Sequence, residues 1–131
     1  MTYSFVWSTP SSRAPIVSVA SYGITFNSSV IELMKRPEGV MIGFDENNKV
    51  VGIKPLCDNE EAISKGFLFA SKERKGYVRI GNKDFIKYVS KKTGKDFSTA
   101  VRYIGDWDEN EQILIVDLNK PLDSTDEEEE E

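Results

Sequence analysis

Apolar positions come in short runs that switch between a two-residue and a helical period, with Gly, Pro, Asn or Asp marking most of the breaks. Ile16–Val19 and Tyr22–Phe26 predict strands built on Val17, Val19, Ile24 and Phe26, with Gly23 permitting a kink or a close backbone approach. From Ser29 to Lys35 the period lengthens: Val30, Ile31, Leu33 and Met34 give the apolar face of a short helix. Asn27 or Ser28 can cap it, and Pro37 and Gly39 end it. Val40–Phe44 and Val50–Ile53 then enclose Asp45-Glu46-Asn47-Asn48-Lys49, the pattern of a hairpin around an Asp/Asn turn, with Pro55 ending the second strand. Residues 57–66 read as a polar connector with a helical turn at 59–64, Phe67–Phe69 as a short strand and Ser71–Gly76 as a basic turn.

The same order of elements then returns. Tyr77–Ile80 predicts a strand, Asn82 a cap, and Lys83–Lys91 a helix whose apolar side carries Phe85, Ile86 and Val89. After Thr93-Gly94, Ala100–Trp107 and Gln112–Leu118 predict a second hairpin around Asp108-Glu109-Asn110-Glu111. The halves correspond in residues as well as pattern. Phe44-Asp45-Glu46-Asn47 matches Trp107-Asp108-Glu109-Asn110 at an offset of 63, and Asn27-x-x-Val30-Ile31 matches Asn82-x-x-Phe85-Ile86 at an offset of 55. One such unit is too small to bury its apolar face alone, so duplication with a shared core is expected. The expected divisions are an N-terminal arm (1–15), a first repeat (16–56), a connector with a short strand (57–70), a second repeat (71–118) and a disordered acidic tail (119–131). Tyr3, Phe5 and Trp7 alternate along the arm and would share one face of an extended strand.

Composition narrows the chemistry. With 39% hydrophobic residues in 131, the chain can fill a core, and it carries neither an apolar run of membrane-spanning length nor a secretory leader pattern, so a cytoplasmic protein with no membrane partner is expected. The single Cys57 leaves no disulfide framework and reads as a small, semi-buried thiol. With no histidine, Ser-His-Asp and Cys-His catalysis and His-ligated zinc are excluded. No Walker loop, dinucleotide-binding glycine pattern or calcium loop appears, so no catalysis, no metal and no cofactor are expected. The carboxylate pairs Asp45-Glu46 and Asp108-Glu109 read as turn residues, and Phe44 and Trp107 as covers of the core.

Net charge changes the picture more. The total of −5 conceals segregation: residues 1–64 are net −2, residues 65–102 hold 11 basic and 3 acidic residues for +8, and residues 103–131 are net −11. Asymmetry of this kind concerns partners rather than fold.

A strand with a glycine hinge, a short helix and a two-stranded hairpin, carried by Gly23–Asn27, the helix at 29–35, Gly39-Val40 and the hairpin at 40–54, resembles the swapped-hairpin unit of AbrB-like DNA-binding proteins. Weaker echoes lie at 77–89 and 100–118, and two units in tandem are similar to the MraZ regulators; together these stretches cover roughly 75 of the 131 residues. The chain also resembles uncharacterised small proteins of Firmicutes and their phages. The resemblance implies an α+β fold in which two tandem strand–helix–hairpin repeats form a small, β-barrel-like swapped-hairpin arrangement, and a role in transcriptional regulation.

The candidate binding residues lie in the basic middle. Lys83, Lys87 and Lys91 recur at i, i+4 and i+8 on the helical face opposite the apolar one. Lys72, Arg74 and Lys75 sit in the preceding turn, Arg79 on the adjacent strand, and Lys92, Lys95 and Arg102 can extend the surface. A row of cations attracts phosphate through charge and counterion release, and arginines add two-pronged contacts. The expected partner is nucleic acid, DNA before RNA, bound by a non-catalytic protein that can also form a homodimer. The alternative is a protein-interaction module, for instance a phage or mobile-element factor that binds and inhibits a host protein through its acidic face and aromatic arm. The Glu127–Glu131 run is expected either to solubilise the chain or to fold back over the basic helix.

Overall fold

A computed structural model describes residues 2–5 and 14–122 of the chain. The order is β1 (Ile16–Ala20), β2 (Gly23–Phe26), α1 (Ser28–Leu33), β3 (Gly39–Asp45), β4 (Val50–Leu56), α2 (Asn59–Lys65), β5 (Phe67–Leu68), a 3-10 turn (Ala70–Lys72), β6 (Val78–Gly81), α3 (Lys83–Thr93), β7 (Val101–Ile104), β8 (Asp106–Asp108) and β9 (Ile113–Asp117). The fold is α+β, with two small antiparallel sheets in the strand orders β6-β2-β1-β7 and β5-β3-β4-β9-β8. Among the described residues the barrel-like closure that the resemblance implies is absent, and both sheets are open. One reason lies at Gly105, where the expected single arm 100–107 divides. β7 pairs with β1 in one sheet and β8 pairs with β9 in the other.

Between the sheets lies the core. Val17 and Val19 of β1, Ile24 and Phe26 of β2, Val78 and Ile80 of β6 and Tyr103 of β7 meet Val51 and Ile53 of β4 and Leu114 and Val116 of β9, with Val30 and Ile31 of α1 and Ile86 and Val89 of α3 in the same cluster. Each such aliphatic side chain contributes about 1.5–3 kcal/mol by leaving water. Phe69 is fully buried against Phe26, edge to face with ring centroids 5.3 Å apart. Phe44 and Trp107 pack on the core from its rim.

Besides the β1–β7 ladder, two further pairings join the halves of the chain. In one, Gly23 lies opposite Gly81, Ile24 opposite Ile80, Thr25 opposite Arg79 and Phe26 opposite Val78. In the other, Val51 lies opposite Val116, Gly52 opposite Ile115 and Ile53 opposite Leu114. The two hairpin turns share their geometry. Lys49 and Gln112, 63 positions apart, both have positive φ (57° and 56°), and each N–H donates across 2.8 Å to the carbonyl of Asp45 or Asp108. Within the turns the Asp45 carboxylate accepts from the Asn48 N–H and the Asp108 carboxylate from the Glu111 N–H, each at 3.1 Å. The Asn48 side chain, then its N–H, hold the Asp45 carboxyl below the usual carboxylate range.

Several local expectations need correction. Asn27 caps α1, accepting the Val30 N–H at 3.1 Å, but the Asn82 side chain makes no capping bond to α3. Strand β4 runs through Pro55 to Leu56; β9 pairs with β4 only as far as Ile53, so the missing proline N–H breaks no ladder there. Cys57 is exposed rather than semi-buried. The arm residues Val6–Arg13 and the tail from Asp123 onward, expected as a docking arm and a disordered tail, lie outside the described residues. Among the described residues no helix is long and apolar enough to cross a membrane.

Gly23 allows the β2–β6 pairing. It has φ +151°, and a Cβ there would stand 2.0 Å from the Ile80 carbonyl oxygen, whereas at Gly81 the nearest atom would be 3.8 Å away. Gly23→Ala is expected to cost about 3 kcal/mol in chemical denaturation and Gly81→Ala less than about 0.5 kcal/mol. Burial pushes the Tyr103 phenol up to about 12. The unfolded chain ionises first, near the usual value of about 10. The contribution of Tyr103 should therefore be constant below about pH 10 and fall by up to about 1.4 kcal/mol per pH unit above it, a decline that Tyr103→Phe should reduce.

Candidate nucleic-acid interface

The outer face of the four-stranded sheet follows from alternation. Val17 and Val19, Ile24 and Phe26, Val78 and Ile80, and Tyr103 point into the core, so Ser18, Thr25, Arg79 and Arg102 point away from it. The registers align these four in one row, with Arg79 opposite Thr25, Thr25 opposite Ser18 and Ser18 opposite Arg102. Three strand spacings put about 14 Å between the two arginine backbones, with two hydroxyls between them.

At the Arg79 end of the row opens a hollow of about 710 Å³, lined by Thr25, Lys72, Arg74, Lys75, Tyr77 and Arg79. Its electrostatics are one-sided, since four of the six side chains are cations and none is acidic. Glu73, the one carboxylate in this stretch of chain, pairs with the Arg36 guanidinium instead. Arg74 is steadied by its own turn, its Nη1 donating to the carbonyls of Glu73 at 2.9 Å and Ser71 at 3.4 Å.

The hollow's wall is a two-residue reversal. Arg74 and Tyr77 exchange both backbone hydrogen bonds, at 2.8 and 3.0 Å, and Lys75 and Gly76 between them have φ of 54° and 83°. Two successive positive φ values characterise a type I′ hairpin turn, for which Asn-Gly is the favoured pair. Lysine is a poor choice there, costing roughly 1 kcal/mol.

Arg79 also joins the hollow to a second one, because its guanidinium lies 4.7 Å from the centre of the Tyr22 ring. Tyr22, at the β1–β2 turn, is fixed by the Asn82 N–H donating to its carbonyl at 2.9 Å. The second hollow, lined by Tyr22, Lys83, Lys87, Asp84 and Asp96 among others, is mixed in charge. The Ser98 N–H, then its side chain, keep the Asp96 carboxyl below its ordinary value.

The candidate residues therefore divide. Lys72, Arg74, Lys75 and Arg79 converge on one hollow, and Lys83 and Lys87 border the next. Lys91 is exposed further along α3. Lys92 turns toward the first hairpin, 3.9 Å from Glu46 and 5.8 Å from the centre of the Tyr88 ring, while the Tyr88 hydroxyl donates to Glu46 at 3.1 Å. Lys95 belongs to the loop after α3, where its N–H and carbonyl bond Thr93 and Ser90. Arg102 stands at the far end of the outward row.

Sequence reasoning missed Tyr22, Tyr77, Thr25 and Ser18. Tyr77 was within reach, since it flanks Val78 two positions before Arg79 and must share its face. Among the described residues no three Asp, Glu or Cys side chains gather closely enough to hold a metal ion.

Lys75→Asn keeps the turn and removes both strain and charge. The variant should gain up to about 1 kcal/mol in denaturation. If this surface binds oligonucleotide through Lys75, the affinity of the variant should fall severalfold, and unchanged affinity would remove Lys75 from the candidate interface.

Compared with protein-family models, with curated proteins and with solved structures, the chain matches none.

Proposed function

We propose that this protein is a non-catalytic nucleic-acid-binding protein that contacts phosphates through the outer face of its four-stranded sheet. The supporting observation is the convergence of Lys72, Arg74, Lys75 and Arg79 on one hollow lined by no carboxylate. Cations held at fixed spacing release counterions when phosphates replace them, which supplies affinity without base recognition. The Ser18 and Thr25 hydroxyls between Arg79 and Arg102 add neutral donors along the same track.

The proposed architecture is a duplicated strand–helix–hairpin unit of AbrB-like kind, opened into two sheets. Three observations support it: the turns at 45–49 and 108–112 have the same hydrogen bonds and the same left-handed residue. Gly52 and Ile115, which are 63 apart, are direct partners at the β4–β9 junction. The β2–β6 register likewise maps onto itself at the offset of 55.

The acidic tail belongs to the proposal as a competitor. The Leu122 N–H donates to the Arg102 carbonyl at 2.8 Å and Pro121 bridges Tyr103, so the chain leaves the described structure beside one end of the basic row. The nine residues beyond, 123–131, carry seven carboxylates and no cation. Extended, nine residues span up to about 30 Å, more than the width of the sheet.

A second reading, a module that binds a protein partner, draws on Tyr3 and Phe5, which are 68% and 63% exposed. Salt separates the two. If four cations each neutralise a phosphate, affinity should fall roughly 50- to 150-fold between 50 and 200 mM salt. Truncation after Leu122 should raise affinity at the lower concentration. Binding indifferent to salt would favour the protein-interaction module, and a truncation without effect would remove the tail from the proposal.

A further inference from the structure

The cationic hollow contains an aromatic ring that phosphate binding alone does not use. Tyr77 is 51% exposed among Lys72, Arg74, Lys75 and Arg79, and its hydroxyl bonds no described residue. The other strongly exposed tyrosine of this half, Tyr88, is engaged by Glu46, Phe44 and Lys92. Keeping a large ring half in water without an internal partner forgoes burial energy that most aromatic side chains obtain.

Beside it, the Arg79 guanidinium lies over the Tyr22 ring and offers a second flat surface. An aromatic face, a guanidinium plane and four positive charges around one hollow are what an unpaired nucleotide requires. Its base stacks on the ring and its phosphates meet the cations. In a duplex the base faces are stacked against one another and out of reach.

Duplex reading would need an element that enters a groove and presents base-reading side chains. The described helix of sufficient length is α3, and its exposed positions are Lys83, Asp84, Lys87, Tyr88, Lys91 and Lys92, with no Arg, Asn or Gln among them. The lysines there could reach guanine, but the Asn or Gln that makes the two-pronged contact to adenine is absent from that face.

We infer that the hollow binds single-stranded nucleic acid, with one base stacked on Tyr77 and the adjoining phosphates on Lys72, Arg74, Lys75 and Arg79. This rests on the nucleic-acid reading above and narrows its ligand to unpaired strands.

The test is fluorescence anisotropy of the full chain with labelled dT15, rU15 and a 15-base-pair duplex at 50 mM salt, repeated for Tyr77→Ala, Tyr77→Phe and Tyr88→Ala, with circular dichroism confirming each fold. The single strands should bind at least tenfold more tightly than the duplex. Tyr77→Ala should lose roughly 5- to 150-fold of single-strand affinity, the range for one stacked base. Tyr77→Phe and Tyr88→Ala should retain it. A duplex bound as tightly as the strands, or single-strand binding indifferent to Tyr77→Ala, would overturn the stacking inference and leave the phosphate reading standing. Failure of all three oligonucleotides to bind would overturn both.

Discussion

The antiparallel pairing of β2 with β6 is the contact on which the remaining features rest. These strands are separated by more than fifty residues of chain, and closing that distance costs configurational entropy that local contacts cannot return. The ladder forms because Gly23 lets the backbones approach without a Cβ against Ile80, and because Ile24, Phe26, Val78 and Ile80 then enter the core together. The same register puts Thr25 beside Arg79 and lets Arg79 reach Tyr22. One pairing thus closes the core on its inner side and assembles the cationic surface on its outer side.

The sheets differ in what they do. The five-stranded sheet is built from the two hairpins and the short β5; the hairpins' Asp-led turns are tied by local hydrogen bonds and their central strands meet at Gly52 and Ile115. The four-stranded sheet combines the β1–β2 hairpin with single strands from the second half, so its outward row draws on 18, 25, 79 and 102, positions distant in sequence. Charge on such a row is held at spacings set by hydrogen-bonded backbone rather than by flexible side chains. Preorganisation of that kind lowers the ordering cost of binding.

Local physics made much of the chain legible. The turn residues, the Asn27 cap, the α3 apolar face and the hairpin around Asp45–Lys49 are each decided within a few residues, and each appears where the pattern puts it. The arm at 100–107 was misread because a strand can change sheets at a glycine without altering its alternation, and only the packing of Gly105 against Leu114 makes the division apparent. Pro55 misled because its cost depends on whether a neighbouring strand needs its N–H, which is a tertiary fact. At the site, charge count located the basic segment, but not how it divides. Lys92 and Lys95 look equivalent to Lys87 along the chain, yet one is drawn to Glu46 and the other belongs to a loop. Arg79 meets Tyr22 only through the β2–β6 register.

The central claim is that the hollow around Tyr77, and not α3 or the outer face of the five-stranded sheet, receives the nucleic acid. Titration of isotopically labelled protein with dT15, followed residue by residue by NMR, tests it most directly. The account predicts that the largest shifts fall on Thr25, Lys72, Arg74, Lys75, Tyr77 and Arg79, with smaller ones at Tyr22 and Ser18. Shifts concentrated on Met41, Gly52 and Ile115, or along Lys83–Lys91 with Tyr77 undisturbed, would contradict it.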